Sequence, residues 1–549
     1  MGSIRSVSIM PDDQAIEPTQ GDVSAPPTHI AIVGCGFTGS STLFQLVDRY
    51  PIKRITVFEA SGVFGPGYPY QTDECPDYLI NNTTGTMGLT PDSKRGFSNW
   101  LRLTGLVETV DDKGHLPRAL FGEFLVDAVR TARTSAAIKG IELDLISAEV
   151  SVIREVAGGV EIRHQQGKIT ADVVLLTTGR CPNLDRFGFA TTKRKPRKRC
   201  FATHVSSNEL DLVDPDATVY VLGTSLSAYD VVNRLFSPAS GCVFERQANG
   251  YLHFKPGSNK RRIILGSRAG RLKKIQSQKP MKIDRRHFNL SAFRRLAAEN
   301  DGLSVEVLAS LIQKEAVEHS ALIDWASIAD PYAQCEEADD LNSRAGEILA
   351  QDISVARGTN PLNFLVDLFA DAQLDIWDGF AERLMKPEDE RYYRSKLESA
   401  FLTYGAPCPM PTAERLLALH RAGVLAVRAG VMPVELRANT CGYLIQHRFG
   451  QDKADIVIDA TGGVDRTVDS VGQPKLIANL AQSGLMRGYR LADRAMPGAA
   501  IDMKTFRMHG AHNIYALNMW LWGPGFSTSS ASLMATLAKR MLDRLFDLG

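Results

Sequence analysis

Short apolar runs that break at glycine organise this chain. Ile30-Ala31-Ile32-Val33 runs into Gly34-Cys35-Gly36-Phe37-Thr38-Gly39, and Val219-Tyr220-Val221-Leu222 runs into Gly223-Thr224-Ser225-Leu226-Ser227-Ala228. A brief continuous apolar run bounded by turn residues predicts a strand buried on both faces, as in a parallel sheet. After the first turn, Ser40–Arg49 has helical composition, and Ile55-Thr56-Val57-Phe58 follows as a second strand ending in Glu59. Two later runs echo one another. Asp172-Val173-Val174-Leu175-Leu176-Thr177-Thr178-Gly179 and Asp455-Ile456-Val457-Ile458-Asp459-Ala460-Thr461-Gly462 each place Gly seven residues after Asp.

Other patterns fill in the rest. Tyr68–Asp92 is dense in Gly, Pro, Asn and Thr, which predicts a long loop, and loops of that length inside a domain are usually functional. Phe121–Thr134 has helical spacing, while Glu149–Ile153 and Val160–Arg163 predict a small antiparallel element. Arg285–Ala350 and Asn363–Leu402 carry helical apolar spacing with few β-branched runs, so an α-helical insertion is expected. Near the end, Asn513–Asn518 predicts a strand and Trp522–Ser527 a turn. Ser527–Phe546 then predicts a helix with Lys539, Arg540 and Arg544 late in it.

The first glycine turn has a specific physical reading. Gly34 permits the tight bend out of the strand, Gly36 removes a side chain where a pyrophosphate approaches the backbone, and Gly39 lets the helix pack close. The free N–H groups and the dipole of the helix start then face the phosphates. Glu59, about 25 residues on, is placed to accept hydrogen bonds from a ribose hydroxyl.

At the second turn Gly223, Ser225 and Ala228 occupy the three small-residue positions. Ile263-Ile264-Leu265-Gly266 reads as its second strand and ends in Ser267-Arg268. An arginine there can pair with a 2′-phosphate that an acid would repel. The first site is therefore expected to hold FAD and the second NADPH, with Gly223, Thr224, Ser225, Leu226, Ser227, Ser267 and Arg268 lining the latter. Cys242–Arg246 is an alternative second strand, in which case Arg246 takes the place of Arg268.

Composition narrows the class. The 549 residues are 44% hydrophobic and 23% charged with a net charge of +1, ordinary for a globular enzyme and without a field favouring nucleic acid or anionic membrane. No apolar run of about 20 residues predicts a membrane span. The eight cysteines (Cys35, Cys75, Cys181, Cys200, Cys242, Cys335, Cys408 and Cys441) contain no C-x-x-C pair. That spacing argues against a zinc site, a disulfide framework or a dithiol centre, and suits a reducing, cytoplasmic setting. Lys193–Arg199 is the densest basic run. It reads as a solvated loop, or as a means of drawing NADPH or an anionic substrate to the cleft.

The expected fold is α/β, with two Rossmann-like dinucleotide-binding domains (FAD and NADPH) and an α-helical insertion. Residues 1–27 read as a flexible tail, 28–210 as the first part of the FAD domain, and 211–285 as the first part of the NADPH domain. Residues 286–424 read as the helical insertion with the rest of the NADPH and substrate region, and 425–549 as the return to the FAD domain.

These residues resemble the FAD/NAD(P)-binding family of two-dinucleotide oxidoreductases. The likeness rests on the Gly34 turn and on the loop Gly65–Asp92, with Tyr78-Leu79-Ile80-Asn81-Asn82, Met87 and Pro91-Asp92. It also rests on Pro117–Phe124, on the Gly223 turn and on Ser267-Arg268. The resemblance implies FAD contacts at Gly34, Gly36, Phe37, Thr38, Gly39, Glu59, Asn82, Met87, Val150, Thr178, Gly179, Asn518, Gly523, Phe526 and Ser527. Leu517-Asn518 stands where the family commonly has Gly-Asp.

Relatives in that family include flavin monooxygenases that N-hydroxylate amino acids, among them nitrosuccinate-forming enzymes, and urate hydroxylases. The chain lacks both the F-x-G-x-x-x-H signature and the cysteine pair of disulfide reductases. The resemblance implies an NADPH- and O2-dependent monooxygenase that hydroxylates a small nucleophile, such as an aspartate-like amine, through a flavin C4a-hydroperoxide. Arg95, His115 and Arg118 are the candidates for orienting that substrate. A flavin reductase or oxidase, a hydroxylase of a heterocycle such as urate, and a non-catalytic FAD scaffold are the competing readings. A second copy of the chain is left open as a partner.

Overall fold

Val, Ile and Leu crowd the two runs that lead into glycine, and each run becomes the central strand of a parallel sheet. The structure is a computed structural model that describes residues 26–179, 181–185, 187–189, 199–205, 207–431, 437–439, 442–526 and 530–548. Most of the expected tail, Lys193–Lys198 of the basic run, Cys441 and Ser527 lie outside the described residues.

The chain opens with β1 (His29–Val33), the helix Phe37–Arg49, β2 (Arg54–Phe58) and, after a long loop and the helix Arg118–Ile138, β3 (Glu142–Ile146). An antiparallel meander of β4 (Val150–Val156), β5 (Gly159–His164) and β6 (Gly167–Ala171) leads into β7 (Val173–Leu176). The second half repeats the plan. β8 (Phe201–His204) and β9 (Thr218–Leu222) are followed by a hairpin, β10 (Val243–Arg246) with β11 (Leu252–Lys255), and by β12 (Arg262–Gly266). Beyond the helical region come β13 (Leu425–Arg428), the meander β14 (Arg437–Asn439), β15 (Gly442–His447) and β16 (Gly450–Ala454), and then β17 (Ile456–Asp459). The hairpin β18 (Gly488–Leu491) with β19 (Arg494–Ala499), strand β20 (Ile514–Ala516) and the helix Ala531–Leu545 finish the chain.

Two five-stranded sheets result, ordered β20-β7-β1-β2-β3 and β13-β12-β9-β17-β8. Every pairing within them is parallel. The echoing runs are equivalent strands, β7 beside β1 and β17 beside β9. Their leading aspartates act alike. Asp172 accepts the N–H groups of Thr28 and His29 (2.8 and 2.9 Å), and Asp455 accepts that of Thr218 (2.9 Å). Each carboxylate thereby ties off the entry end of its neighbouring central strand.

The structure corrects one boundary and decides between two candidate strands. β13 to β17 belong to the second sheet or its meander, so the chain does not return to the first unit at residue 425. The return must wait until β17 has paired with β9. Of Cys242–Arg246, Val243–Arg246 forms β10, which pairs with β11 in a separate hairpin, whereas β12 is the strand beside β9, so Arg246 does not end the strand next to the second turn. Arg246 pairs instead with Glu414 at 2.6 Å.

The helical region packs into both cores. Helices Ala338–Ala356 and Met410–Arg421 bury Leu349, Ile353, Leu416 and Leu417 in the core of the second sheet. Helices Leu290–Glu299, Val305–Glu318, Phe364–Asp371 and Gln373–Ala381 bury Phe293, Leu311, Phe364 and Trp377 in the core of the first.

One residue fastens this region to the loop after β20. Arg394, on the π-helical turn Tyr393–Leu397, donates to the carbonyls of Trp522 (3.2 Å), Gly523 (2.8 Å) and Gly525 (3.0 Å). It also pairs with Glu390 at 2.8 Å, and the two side chains are only 9% and 2% exposed. Arg394→Met removes the cation from a buried carboxylate, so a loss of about 3–5 kcal/mol is expected. Thermal unfolding of the variant beside the parent chain checks this, and an unchanged midpoint would contradict the anchoring role.

Candidate functional site

The first turn is shaped by what it cannot contain. Gly34 has φ +98°, and a Cβ there would lie 3.1 Å from the Thr177 backbone. A Cβ on Gly39 would overlap the Gly34 carbonyl oxygen, and one on Gly36 would press on Gly67 at 3.3 Å. The helix therefore starts at Phe37, three residues before the expected Ser40, because Gly39 already sits inside its first turn.

Gly36 is the N-cap and supplies no side-chain acceptor, so the first N–H groups of the helix are open to a phosphate. Glu59 is turned to the same place: one carboxylate oxygen accepts the Cys35 N–H at 2.9 Å, the other the Ser61 N–H and hydroxyl at 3.0 and 2.8 Å. A cradle without Cβ atoms, open helix N–H groups and an acid at the β2 end fit an FAD pyrophosphate and ribose. Cys35 is a small packing residue, since burial pushes its thiol up to about 12.

The geometry also gives this cradle a direction. An FAD held with its ribose at the end of β2 and its pyrophosphate at β1 would direct its other half toward β7 and β20, the next strands of the sheet. Thr178 and Gly179 follow β7 there, while Thr177 donates its hydroxyl to the Gly34 carbonyl at 2.5 Å. Asn82 is half-buried, and Val150 is buried at the start of β4. Phe37 packs on Phe121 with ring centroids 6.1 Å apart, and the Thr38 carbonyl accepts from Thr42.

Several expected contacts turn out to be engaged within the protein. Met87 is 2% exposed and belongs to the core. Asn518 accepts the Trp520 N–H at 3.1 Å and donates to the Leu176 carbonyl at 3.4 Å, so its amide holds the loop rather than reaching outward. Gly523 is glycine because Pro497 and Gly498 of β19 lie against it. Phe526 stacks on Phe380 at 5.0 Å with an interplanar angle of 14°.

The second turn copies the first. Gly223 has φ +129°, and a Cβ there would lie 2.7 Å from the Ala460 carbonyl oxygen, as Gly34 meets Thr177. The helix Leu226–Leu235 starts after Ser225, whose side chain makes no capping bond. Ser227 lies in its first turn, and Ala228 is fully buried. The Thr224 hydroxyl meets that of Ser267 at 3.0 Å, which joins the turn to the end of β12, where Arg268 is exposed. The degenerate turn and Ser267-Arg268 are therefore brought side by side.

The three substrate candidates do not converge. Arg118 donates to the Leu79 carbonyl at 2.9 Å and pairs with Asp230 of the helix Leu226–Leu235 at 2.9 Å. The carboxylate it meets belongs to this chain, and the pair joins the two dinucleotide units. Arg415 with Asp77, at 2.7 Å, does the same nearby. His115 meets the Ile80 carbonyl through Nδ1 at 3.1 Å, and burial lowers its pKa, so it stays a neutral donor that holds the loop. The Arg95 side chain is 71% exposed and 3.9 Å from Asp112. Arg199 of the basic run pairs with Asp214 at 3.5 Å.

Sequence reasoning missed two opposite charges that meet a common tryptophan beyond β20. Arg466 lies over the Trp522 ring, 4.6 Å from its centroid, and Glu398 faces the same tryptophan. The two are 68 residues apart on different elements, and no spacing signals their meeting.

Comparison with known proteins agrees with the first cradle. Residues 31–181 match the model of the FAD-NAD(P)-binding family. The chain is 23% identical over 490 residues, 83% of its own length and 87% of the relative's, to the uncharacterized protein YdhS of Escherichia coli (strain K12). Solved structures align along most of the chain but superpose loosely. L-lysine 6-monooxygenase from Pseudomonas syringae has a TM-score of 0.49 at 14% identity, covering 94% of this chain and 99% of that one. The ornithine N-hydroxylase of Kutzneria sp. 744 has a TM-score of 0.43 at 13% identity, covering 95% and 100%. Overlaps of this size carry no weight for chemistry.

Gly39→Val is expected to yield protein without FAD, because its Cβ meets the Gly34 carbonyl that shapes the turn. Flavin absorbance per mole of purified protein reads this. Full FAD occupancy in the variant would refute the assignment of the first cradle.

Proposed function

We propose that the chain is an FAD- and NADPH-dependent monooxygenase that hydroxylates the amine of a small amino-acid-like substrate, aspartate-like compounds included. The observation that carries this reading is the opposed chemistry of two equivalent turns: Glu59 ends the second strand of one, and Ser267-Arg268 ends that of the other. An acid suits a ribose hydroxyl, and an arginine suits a 2′-phosphate. Electrons are thereby directed from the second site to the first.

When bound, FAD supplies hydride acceptance from NADPH and activation of O2. The protein's own residues hold and shield. Glu59 and the open N–H groups of Phe37–Gly39 would anchor one half of the FAD. Arg394 fixes the loop Trp522–Gly525, which would lie at the other half. Phe380, Phe401, Tyr393 and Phe526 form an aromatic wall that excludes water from that end. The Arg118–Asp230 and Arg415–Asp77 pairs, whose side chains are 12–23% exposed, hold the nicotinamide unit against the flavin unit. Without a C-x-x-C pair, the chain has no such dithiol to take electrons from FAD, which supports O2 as the acceptor.

Anaerobic mixing tests the direction of electrons: NADPH is expected to bleach the bound FAD faster than NADH. Aerobic turnover with amino acids is then expected to give hydroxylated product in step with NADPH consumed. Hydrogen peroxide as the sole product would favour an oxidase instead. Arg268→Ala is expected to raise the KM for NADPH by about tenfold or more, the weight of a charge-assisted contact, while leaving NADH unaffected. Equal effects on both nucleotides would remove Arg268 from the 2′-phosphate.

A further inference from the structure

At the carboxyl ends of β7 and β20, three segments meet: the linker after β7 with Cys181, the linker after β17 with Arg466, and the loop after β20 with Trp522. The two linkers pair, Asn183 opposite Val464, with the Leu184 N–H donating to Gly463 at 3.0 Å. The Arg466 carbonyl accepts from Gly498 at 2.8 Å, which sets its backbone against the strand that packs on Gly523. The helical region adds Glu398, one turn beyond Arg394.

Arg466 and Glu398 are unusual in two ways. Nε of Arg466 and Oε1 of Glu398 are both buried without a hydrogen-bond partner. Each is close enough to feel the other's charge, yet no ion pair joins them among the described residues. Trp522 engages both side chains, its ring under Arg466 and its indole against Glu398, and this still leaves one buried donor and one buried acceptor of opposite charge unpaired, a costly state in the absence of a polar ligand. Their place is the end of the first cradle to which the reactive half of a dinucleotide is directed, beside Trp522.

We propose that Arg466 and Glu398 are the two charged subsites of the substrate pocket, and that they take a small zwitterion, its carboxylate on Arg466 and its ammonium on Glu398. The inference rests on the monooxygenase reading above and names its substrate class. Burial pushes the Glu398 carboxyl up, against the pull of Arg394, Trp522 and Arg466 and with a small push from Glu390. Tyr393 is the other titratable group facing it, and burial keeps that phenol protonated. A carboxylate with a raised pKa is a better proton acceptor. Glu398 takes one proton from the ammonium and becomes a carboxylic acid, and the nitrogen keeps its electron pair as a neutral amine. That is the nucleophile an N-hydroxylation needs.

The test is calorimetric titration of the FAD-loaded protein with L-aspartate, L-ornithine and L-lysine, and with their α-carboxamide and N-acetyl derivatives. At least one amino acid is expected to bind, and masking either charge to weaken it about tenfold or more. Arg466→Met should weaken the amino acid by a similar factor while leaving its carboxamide unchanged. Glu398→Gln should do the same with respect to the N-acetyl derivative. Arg466→Lys should restore part of the affinity, and serves in its own right if the methionine variant does not fold. In turnover, kcat/KM should rise with pH through the raised Glu398 pKa, and that limb should vanish in Glu398→Gln.

Absence of binding by all three amino acids would overturn the proposal. So would masked derivatives that bind as tightly as the parents, or variants with wild-type affinities. If the amino acids bind through both residues but NADPH consumption yields only peroxide, the monooxygenase reading fails and the zwitterion site stands.

Discussion

Two glycines set the frame of this protein by coming within touching distance of the neighbouring strand. Gly34 lies against Thr177 and Gly223 against Ala460, both in positive-φ conformations that an L side chain rarely adopts. Each approach brings the carboxyl ends of two adjacent parallel strands together over a helix N-terminus. A larger residue at either point would push β7 off β1, or β17 off β9, and the phosphate cradle would open. The twin aspartates, Asp172 and Asp455, secure the opposite ends of the same strand pairs.

Around that repeated unit, the structure departs from symmetry where chemistry is needed. The first turn keeps all three glycines and an acid. The second has Ser225 and Ala228, and it recovers its link to the next strand through the Thr224–Ser267 hydroxyl contact. The helical region is divided between the two cores, and Arg394 reaches from it to hold the loop beyond β20. Arg118 and Arg415 bind the units to one another. Each of these ties is a partly or fully buried charge whose loss would leave its partner uncompensated, so they define a geometry more strictly than apolar contact alone would.

Much of the first unit was legible along the chain. The apolar run, Gly34, Gly36, Gly39 and Glu59 are near neighbours, and their spacing reflects local geometry that any such turn must obey. The matching runs at Asp172 and Asp455 signalled equivalent strands for the same reason. Less legible were the roles of single arginines. Arg118 looked free to meet a substrate because Asp230 lies 112 residues away. Asn518 looked available to a cofactor because its bonds to Trp520 and Leu176 form only when β20 joins β7.

What the sequence by itself determined is the pair of strand–glycine–helix units and the difference in charge between them, because backbone sterics and short-range spacing decide both. The tertiary structure alone decided that β12 rather than β10 completes the second site, and that β13 to β17 stay with the second sheet or its meander. It also decided that Glu398 and Arg466 face a common tryptophan. Those outcomes depend on contacts between residues tens to hundreds of positions apart, and no local pattern encodes them.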